Sequence, residues 1–277
     1  MRDFALHVRS ILAECIRVSF LTNQQESVIS ASGDESQGMP SSSGSLQKKP
    51  VAKMVVAKAA RAKKTAERNY GGLSEADRVS ARRKRLLDAG FEVFGTLGIR
   101  GTTVRMVCKS AGLTERYFYE SFADSDALFC AVYERELRVL QTLFVSHLPS
   151  LPITLNERIH AILTIVFNSM RDSRRVRIFY VEALAGSEQV QNMYHYSVRF
   201  QAQLSATFIR ADNPAVTASN DVLLQVGYAI NGAFSSLLVQ WMRGGYTTPI
   251  EIVVSSAEIF VHGVMRELLE RSRAGAS

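Results

Sequence analysis

Residues Arg78–Leu128, RVSARRKRLLDAGFEVFGTLGIRGTTVRMVCKSAGLTERYFYESFADSDAL, carry the reading that decides the fold. Thr102-Thr103 opens a short apolar-periodic segment through Val104, Val107, Cys108 and Ala111, which stops at Gly112. Thr114 then opens a second segment bearing Tyr117, Phe118, Tyr119 and Phe122. A threonine is a good helix N-cap, and an Ala-Gly pair is a good helix stop. Two short helices joined in this way predict a helix-turn-helix at about 103–109 and 114–121, a motif that lays its second helix in the DNA major groove.

Outward from this centre the patterning stays helical. Ser74-Glu75-Ala76-Asp77 resembles an N-cap with acids in the first turn. It predicts a helix over about 75–97 with Leu86, Ala89, Gly90, Val93 and Phe94 inward, ended by Gly98 and Gly101. Further helices are expected at about 124–146, 155–171, 174–185, 187–210, 219–243 and 248–272, with a turn at Asp212-Asn213-Pro214. No segment alternates as a strand would, so the expected class is all-α. No apolar run has the length a membrane span or signal peptide needs, and a soluble, cytoplasmic protein is expected.

The formal net charge is +7, and its placement is informative. Residues 48–68 hold eight basic side chains against one acidic, whereas residues from 106 onward hold fifteen against sixteen. The positive charge thus gathers before and within the candidate DNA-binding unit, where phosphates would need it. The expected organisation is a Ser- and Gly-rich, disordered extension at 1–49 and a basic linker at 50–73. A DNA-binding domain at 74–125 and a larger helical domain at 126–277 follow. The three cysteines, Cys15, Cys108 and Cys130, have no disulfide or metal spacing, and Cys108 and Cys130 read as buried thiols.

Several motifs lie in one order: Leu86-x2-Ala89-x-Glu92-Val93-Phe94, Gly98, Gly101-Thr102-Thr103-Val104-Arg105, Ala111-Gly112-Leu113, Phe118-Tyr119-x2-Phe122 and Ala127-Leu128. This stretch resembles the N-terminal domain of the tetracycline-repressor (TetR) family. The resemblance implies a transcriptional regulator, more often a repressor, that leaves its operator when a small molecule favours an incompatible spacing of two DNA-binding heads. The chain departs from the family pattern at Ser125, where a Lys or Arg is common.

The side chains expected to meet DNA are Thr103, Arg105, Thr114, Glu115, Arg116, Tyr117 and Tyr119. Thr103 can offer a backbone N–H and a hydroxyl to phosphate, and Arg105 matches a family position that reaches DNA. Thr114 to Tyr117 occupy the first turn of the second helix, where Arg116 could donate to guanine, Glu115 accept from cytosine and Tyr117 pack on a thymine methyl. Tyr119 matches the family's phosphate-binding tyrosine. Phe118 and Phe122 are expected in the core, since four aromatics in six residues cannot all face one small interior.

Chemistry of other kinds has no support in the sequence. Gly95-x2-Gly98-x2-Gly101 lacks the dinucleotide-binding spacing, and Ser45-Leu-Gln-Lys48 lies in low-complexity sequence. The five histidines are scattered. The expectation is therefore no catalysis, no metal and no cofactor.

In the C-terminal region, Gln225, Tyr228, Asn231 and Ser235 form a polar stripe on a helix otherwise apolar nearly all round, with Gly227, Gly232 and Ala233 permitting close packing. Its polar groups need partners from a neighbouring subunit, a bound ligand or internal hydrogen bonds. Pocket candidates are Phe179, Tyr180, Glu182, Tyr194, Tyr196, Gln225, Tyr228 and Asn231, with Met193, Phe200 and Trp241 beside them. The combined reading is an all-α homodimer: a three-helix DNA-binding unit and a larger bundle that dimerises through its last two helices and binds an effector. Its partners would be a double-stranded operator, a second copy and a small molecule. The alternatives are a sequence-nonspecific DNA-binding protein driven by the basic segment, and a helical-bundle carrier or enzyme with a vestigial head.

Overall fold

The structure is a computed structural model and describes residues 74–275. The extension and linker assigned to 1–49 and 50–73, and Cys15, lie outside the described residues. The first helix, α1 (Glu75–Leu97), begins with a reciprocal cap: Asp77 N–H donates to Ser74 Oγ at 3.1 Å, and Ser74 N–H donates to Asp77 Oδ2 at 3.1 Å. The same serine bonds hold the Asp77 carboxyl below its ordinary pKa. Gly98, with φ of 82°, ends the helix.

Helices α2 (Val104–Ala111) and α3 (Glu115–Tyr119) form the expected helix-turn-helix, though α3 closes two residues earlier than predicted. Gly112 takes the left-handed conformation at φ 61° that this turn requires. Helix α4 (Ser125–His147) starts at an Asp124 cap, whose Oδ1 accepts from Ala127 N–H at 2.7 Å. Ser125, the residue that departs from the family pattern, is therefore its first helical position.

Beyond the short 3-10 turn Leu148–Ser150 come α5 (Leu155–Ser169) and α6 (Ser173–Arg177). The segment expected as a single helix at 174–185 instead passes from α6 into a π-helical turn over Ile178–Glu182. Apolar periodicity is nearly blind to that widening, which adds one residue to one turn. Helices α7 (Glu188–Asp212), α8 (Asn220–Arg243) and α9 (Ile250–Ala274) complete the chain, and no strand occurs among the described residues.

One apolar core runs without a break from α1, α2 and α3 into the body. It takes in Leu86, Phe94, Phe118, Phe129 and Tyr133 and continues through Phe167, Val176 and Ile178 to Leu238 and Trp241. Phe94 and Phe129 meet edge-to-face at 5.2 Å and fix α1 on α4. The five inward residues expected on α1 are all buried, as is Cys108. Cys130 is half-buried.

Helix α8 is long and apolar enough to cross a membrane by length and composition, so the expectation that no segment reaches that threshold does not hold there. Its apolarity serves packing along α7. A Cβ on Gly227 would lie 2.2 Å from the Ala202 carbonyl oxygen, so only glycine permits the observed approach of the two backbones.

Candidate nucleic-acid interface

The α2–turn–α3 unit is split cleanly by burial. Val107, Cys108, Ala111, Phe118 and Phe122 face the core. Thr103, Arg105, Thr114, Glu115, Arg116 and Tyr119 are exposed, and Tyr117 is half-buried. Six of the seven expected DNA-contacting residues are thus solvent-exposed, and the seventh, Tyr117, is half-buried.

Their hydrogen bonds define what each can offer. Thr103 caps α2, its Oγ1 accepting from Met106 N–H at 3.3 Å. Thr114 occupies the N-cap of α3 but makes no side-chain cap bond, so its hydroxyl remains available. Arg116 donates from Nε to Glu120 Oε1 at 3.0 Å, an exposed (i, i+4) pair. Such a pair is worth a few tenths of a kcal/mol, so a nucleobase can displace it. Tyr119 is 58% exposed, leaning on buried Phe118 at 5.3 Å between centroids.

Arg82, Arg83 and Arg85 on α1 read in the sequence as charge for phosphates, yet each has a scaffolding contact. The Arg82 guanidinium lies over the Tyr117 ring at 4.6 Å. Arg83 covers Phe122 at 4.2 Å and donates to the Ser121 carbonyl at 2.7 Å. Arg85 Nη2 donates to the carbonyls of Ala111 and Gly112 at 2.5 and 3.1 Å, closing the exposed end of α2. The dense run Arg82-Arg83-Lys84-Arg85, three to four residues from the core positions Leu86 and Ala89, was the signal available for this role.

The head is tied to the body by a second set of arginines, all on α6. Arg174 pairs with Glu92 of α1 and with Asp172, and these bonds hold the Asp172 carboxyl below its ordinary pKa. Arg175 reaches buried Glu136 of α4 at 3.0 Å, and Glu136 also pairs with Arg135 at 2.9 Å, which in turn holds Asp88 of α1 at 2.7 Å. Arg177 donates to Glu182 at 2.8 Å and to the Thr96 carbonyl at 2.6 Å. Sequence reasoning did not single these residues out, because their partners on α1 and α4 lie 39 to 82 positions away.

The pocket candidates do not form one cluster. Phe179 is buried against Tyr133 at 4.8 Å, and Tyr180 and Tyr194 lie close by. Burial pushes the phenols of Tyr133, Tyr180 and Tyr194 upward. Tyr133 shares a 2.5 Å hydrogen bond with Ser197.

Glu182 belongs to a different place: its Oε2 accepts from Ile99 N–H at 2.8 Å and its Oε1 from Arg177, so both oxygens serve the head–body junction. Two carboxylate oxygens satisfied by a backbone N–H and a guanidinium explain how this charge is buried. Tyr196 and Gln225 are exposed, and Tyr228 is half-buried on α8. Asn231 donates to Gln201 Oε1 of α7 at 2.7 Å, and Ser235 donates to the Asn231 carbonyl, so this part of the polar stripe is satisfied internally.

Comparison with known proteins follows this geometry. Residues 86–132 match the family described as bacterial regulatory proteins, tetR family. No curated protein matches the chain. Among solved structures, a transcriptional regulator from Pseudomonas aeruginosa PAO1 is similar at a TM-score of 0.57 and 18% identity, covering 72% of this chain and 96% of that one. A TetR-family regulator from Mesorhizobium loti MAFF303099 is similar at 0.53 and 15%, covering 70% and 97%. The regulator FadR from Bacillus subtilis, solved in complex with stearoyl-CoA, is similar at 0.53 and 11%, covering 67% and 97%. At these identities the structures establish the fold, and the family match runs from the second half of α1 into α4. The family match thus covers the helix-turn-helix unit, and the solved structures share the helical fold of the body behind it.

Proposed function

We propose that the chain is a homodimeric repressor that reads a two-fold operator with α2 and α3 and is released when a small molecule binds the body. The observation that carries this is the exposed row of Thr103, Arg105, Thr114, Glu115, Arg116 and Tyr119 above a buried aromatic floor. Such a row joins phosphate anchors at the edges to hydrogen-bonding groups at the start of the inserted helix. One five-residue helix reads few base pairs, so a symmetric pair supplies the specificity.

The dimer face in this reading is the outer side of α8 and α9. Val222, Ile252, Ile259 and Phe260 are exposed there, at 47, 57, 72 and 37%. Gly232 and Gly263 have open space where a Cβ would stand. An apolar surface with such gaps is suited to another helix pair. The domain division at 125/126 has the head turning as a unit on the body, although the apolar core is continuous across it.

The effector would act near Phe179, Tyr180 and Tyr194, beside the π-helical turn. Displacing that turn would move Glu182 and the α6 arginines that hold the head. The similar structure of FadR from Bacillus subtilis was solved in complex with stearoyl-CoA, which supports a ligand site in the body. The reading assigns no catalysis to the chain.

Selection from random duplexes is the test. An inverted repeat with two half-sites about one helical turn apart is the expected product. Equal affinity for unrelated duplexes would replace this reading with nonspecific coating of DNA.

A further inference from the structure

A cleft of about 420 Å³ opens between the end of α1, helix α6 and the end of α8, and neither the candidate DNA-contacting residues nor the clustered tyrosines line it. Its size is within the range of small-molecule sites. Arg174, Arg177 and Arg243 line it, and no carboxylate is among the lining residues. From these features we infer that the cleft binds a small organophosphate.

The three arginines differ in what they have left to give. Arg174 is committed through Nε, Nη1 and Nη2 to Asp172 and Glu92. Arg177 uses Nε on Glu182 and Nη1 on the Thr96 carbonyl, which leaves Nη2. Arg243 has no ion pair among the described residues, so its whole guanidinium is available. Glu92, Asp172 and Glu182 fix Arg174 and Arg177 in place and outnumber them by one, so Arg243 restores neutrality and brings the one guanidinium of the three with no ion pair among the described residues. A fixed guanidinium edge beside a free fork suits the tetrahedral oxygens of a phosphate, which accept paired N–H donors.

The remaining walls decide between an inorganic ion and an organic one. Ser173 Oγ adds a hydroxyl with no hydrogen-bond partner among the described residues, whereas Val181 and Met242 close the cleft with apolar surface. A bare phosphate would leave those two side chains against water. An alkyl or larger organic group on the phosphate would cover them.

The lining crosses from Gly95 and Thr96 in the head to the body, so occupancy depends on how the head sits, and by linkage the head depends on occupancy. Binding itself needs no DNA and stands apart from the proposed repression.

Calorimetric titration of the full-length protein with n-butyl phosphate, without DNA, tests the site. Saturable binding at about 1 mM or tighter is expected, with inorganic phosphate at least about tenfold weaker. Trp241, the single tryptophan, adjoins Met242 and should report the same titration by its fluorescence. Arg243→Gln should weaken binding by about tenfold or more with an unchanged unfolding temperature, while Arg199→Gln, an exposed arginine on α7, should leave it unaltered. Absence of saturable binding, or equal binding by the Arg243 variant, overturns the assignment. Inorganic phosphate binding as tightly as the butyl ester overturns its organic part.

Discussion

The carboxylate of Glu182 accepts the backbone N–H of Ile99 at 2.8 Å, a buried hydrogen bond between residues 83 positions apart. Ile99 follows the glycine that ends α1, and Glu182 closes the π-helical turn after α6. Through Arg177, which holds Glu182 and the Thr96 carbonyl together, one point of the body grips the two backbone groups at the end of the helix that supports the DNA-binding unit. The bond makes Gly98 obligatory, because a Cβ there would stand 2.7 Å from the Glu182 oxygens.

Glu182→Ala should therefore lower unfolding stability by about 1–3 kcal/mol, since it strands a buried N–H and takes the carboxylate from the half-exposed Arg177 guanidinium. Gly98→Ala should lower it by at least about 1 kcal/mol, from left-handed backbone strain and the clash together. Denaturant melts of the two variants check both values. A change below about 0.5 kcal/mol in each would mean that the junction contributes little.

Arg116 is 84% exposed and held only by an (i, i+4) partner, so removing it should not disturb the fold. Arg116→Ala is expected to cost about 1–3 kcal/mol of binding at one or two operator positions and to relax base preference there. Binding measured against single-base operator variants decides the point. Uniform weakening across all of them would make Arg116 a phosphate contact.

Two glycines five residues apart on α8 should respond differently. Gly227→Ala places a Cβ 2.2 Å from the Ala202 carbonyl, so it should destabilise the fold of the single chain. Gly232→Arg meets open space within the chain, so it should fold, dissociate the dimer and lose operator binding. Light scattering and thermal melts separate the two outcomes. A wild-type monomer at micromolar concentration that binds operator tightly would end the dimer model.

Removal of residues 1–68 deletes eleven basic and six acidic side chains, eight of the basic ones between Lys48 and Arg68. The truncated protein should keep its base preference, bind more weakly and show a shallower dependence of log affinity on log salt. Loss of base preference on truncation would make the basic segment a reader of sequence.

The buried and exposed faces of the helix-turn-helix were legible in the sequence, because a helix of 3.6 residues per turn assigns faces from spacing. Phe118 and Phe122 fall inward, and Arg116 and Tyr119 outward, from local geometry. The body was less legible. Phe179, Glu182 and Asn231 share the same local signature, a buried or half-buried side chain on an apolar helix, yet one packs on Tyr133, one bonds Ile99 and one bonds Gln201.

The sequence by itself determined the all-helical class, the helix-turn-helix and the face it turns to solvent, since caps, glycine stops and apolar period act within a few residues. The tertiary structure alone decided that α1 arginines brace α2 and α3, that α6 arginines join head to body, and that α7 and α8 touch at Gly227. Those contacts join residues that are distant in the chain, and a guanidinium several bonds long can reach any of several carbonyls or carboxylates. Which one it meets is set only when the packed helices fix the distances between them.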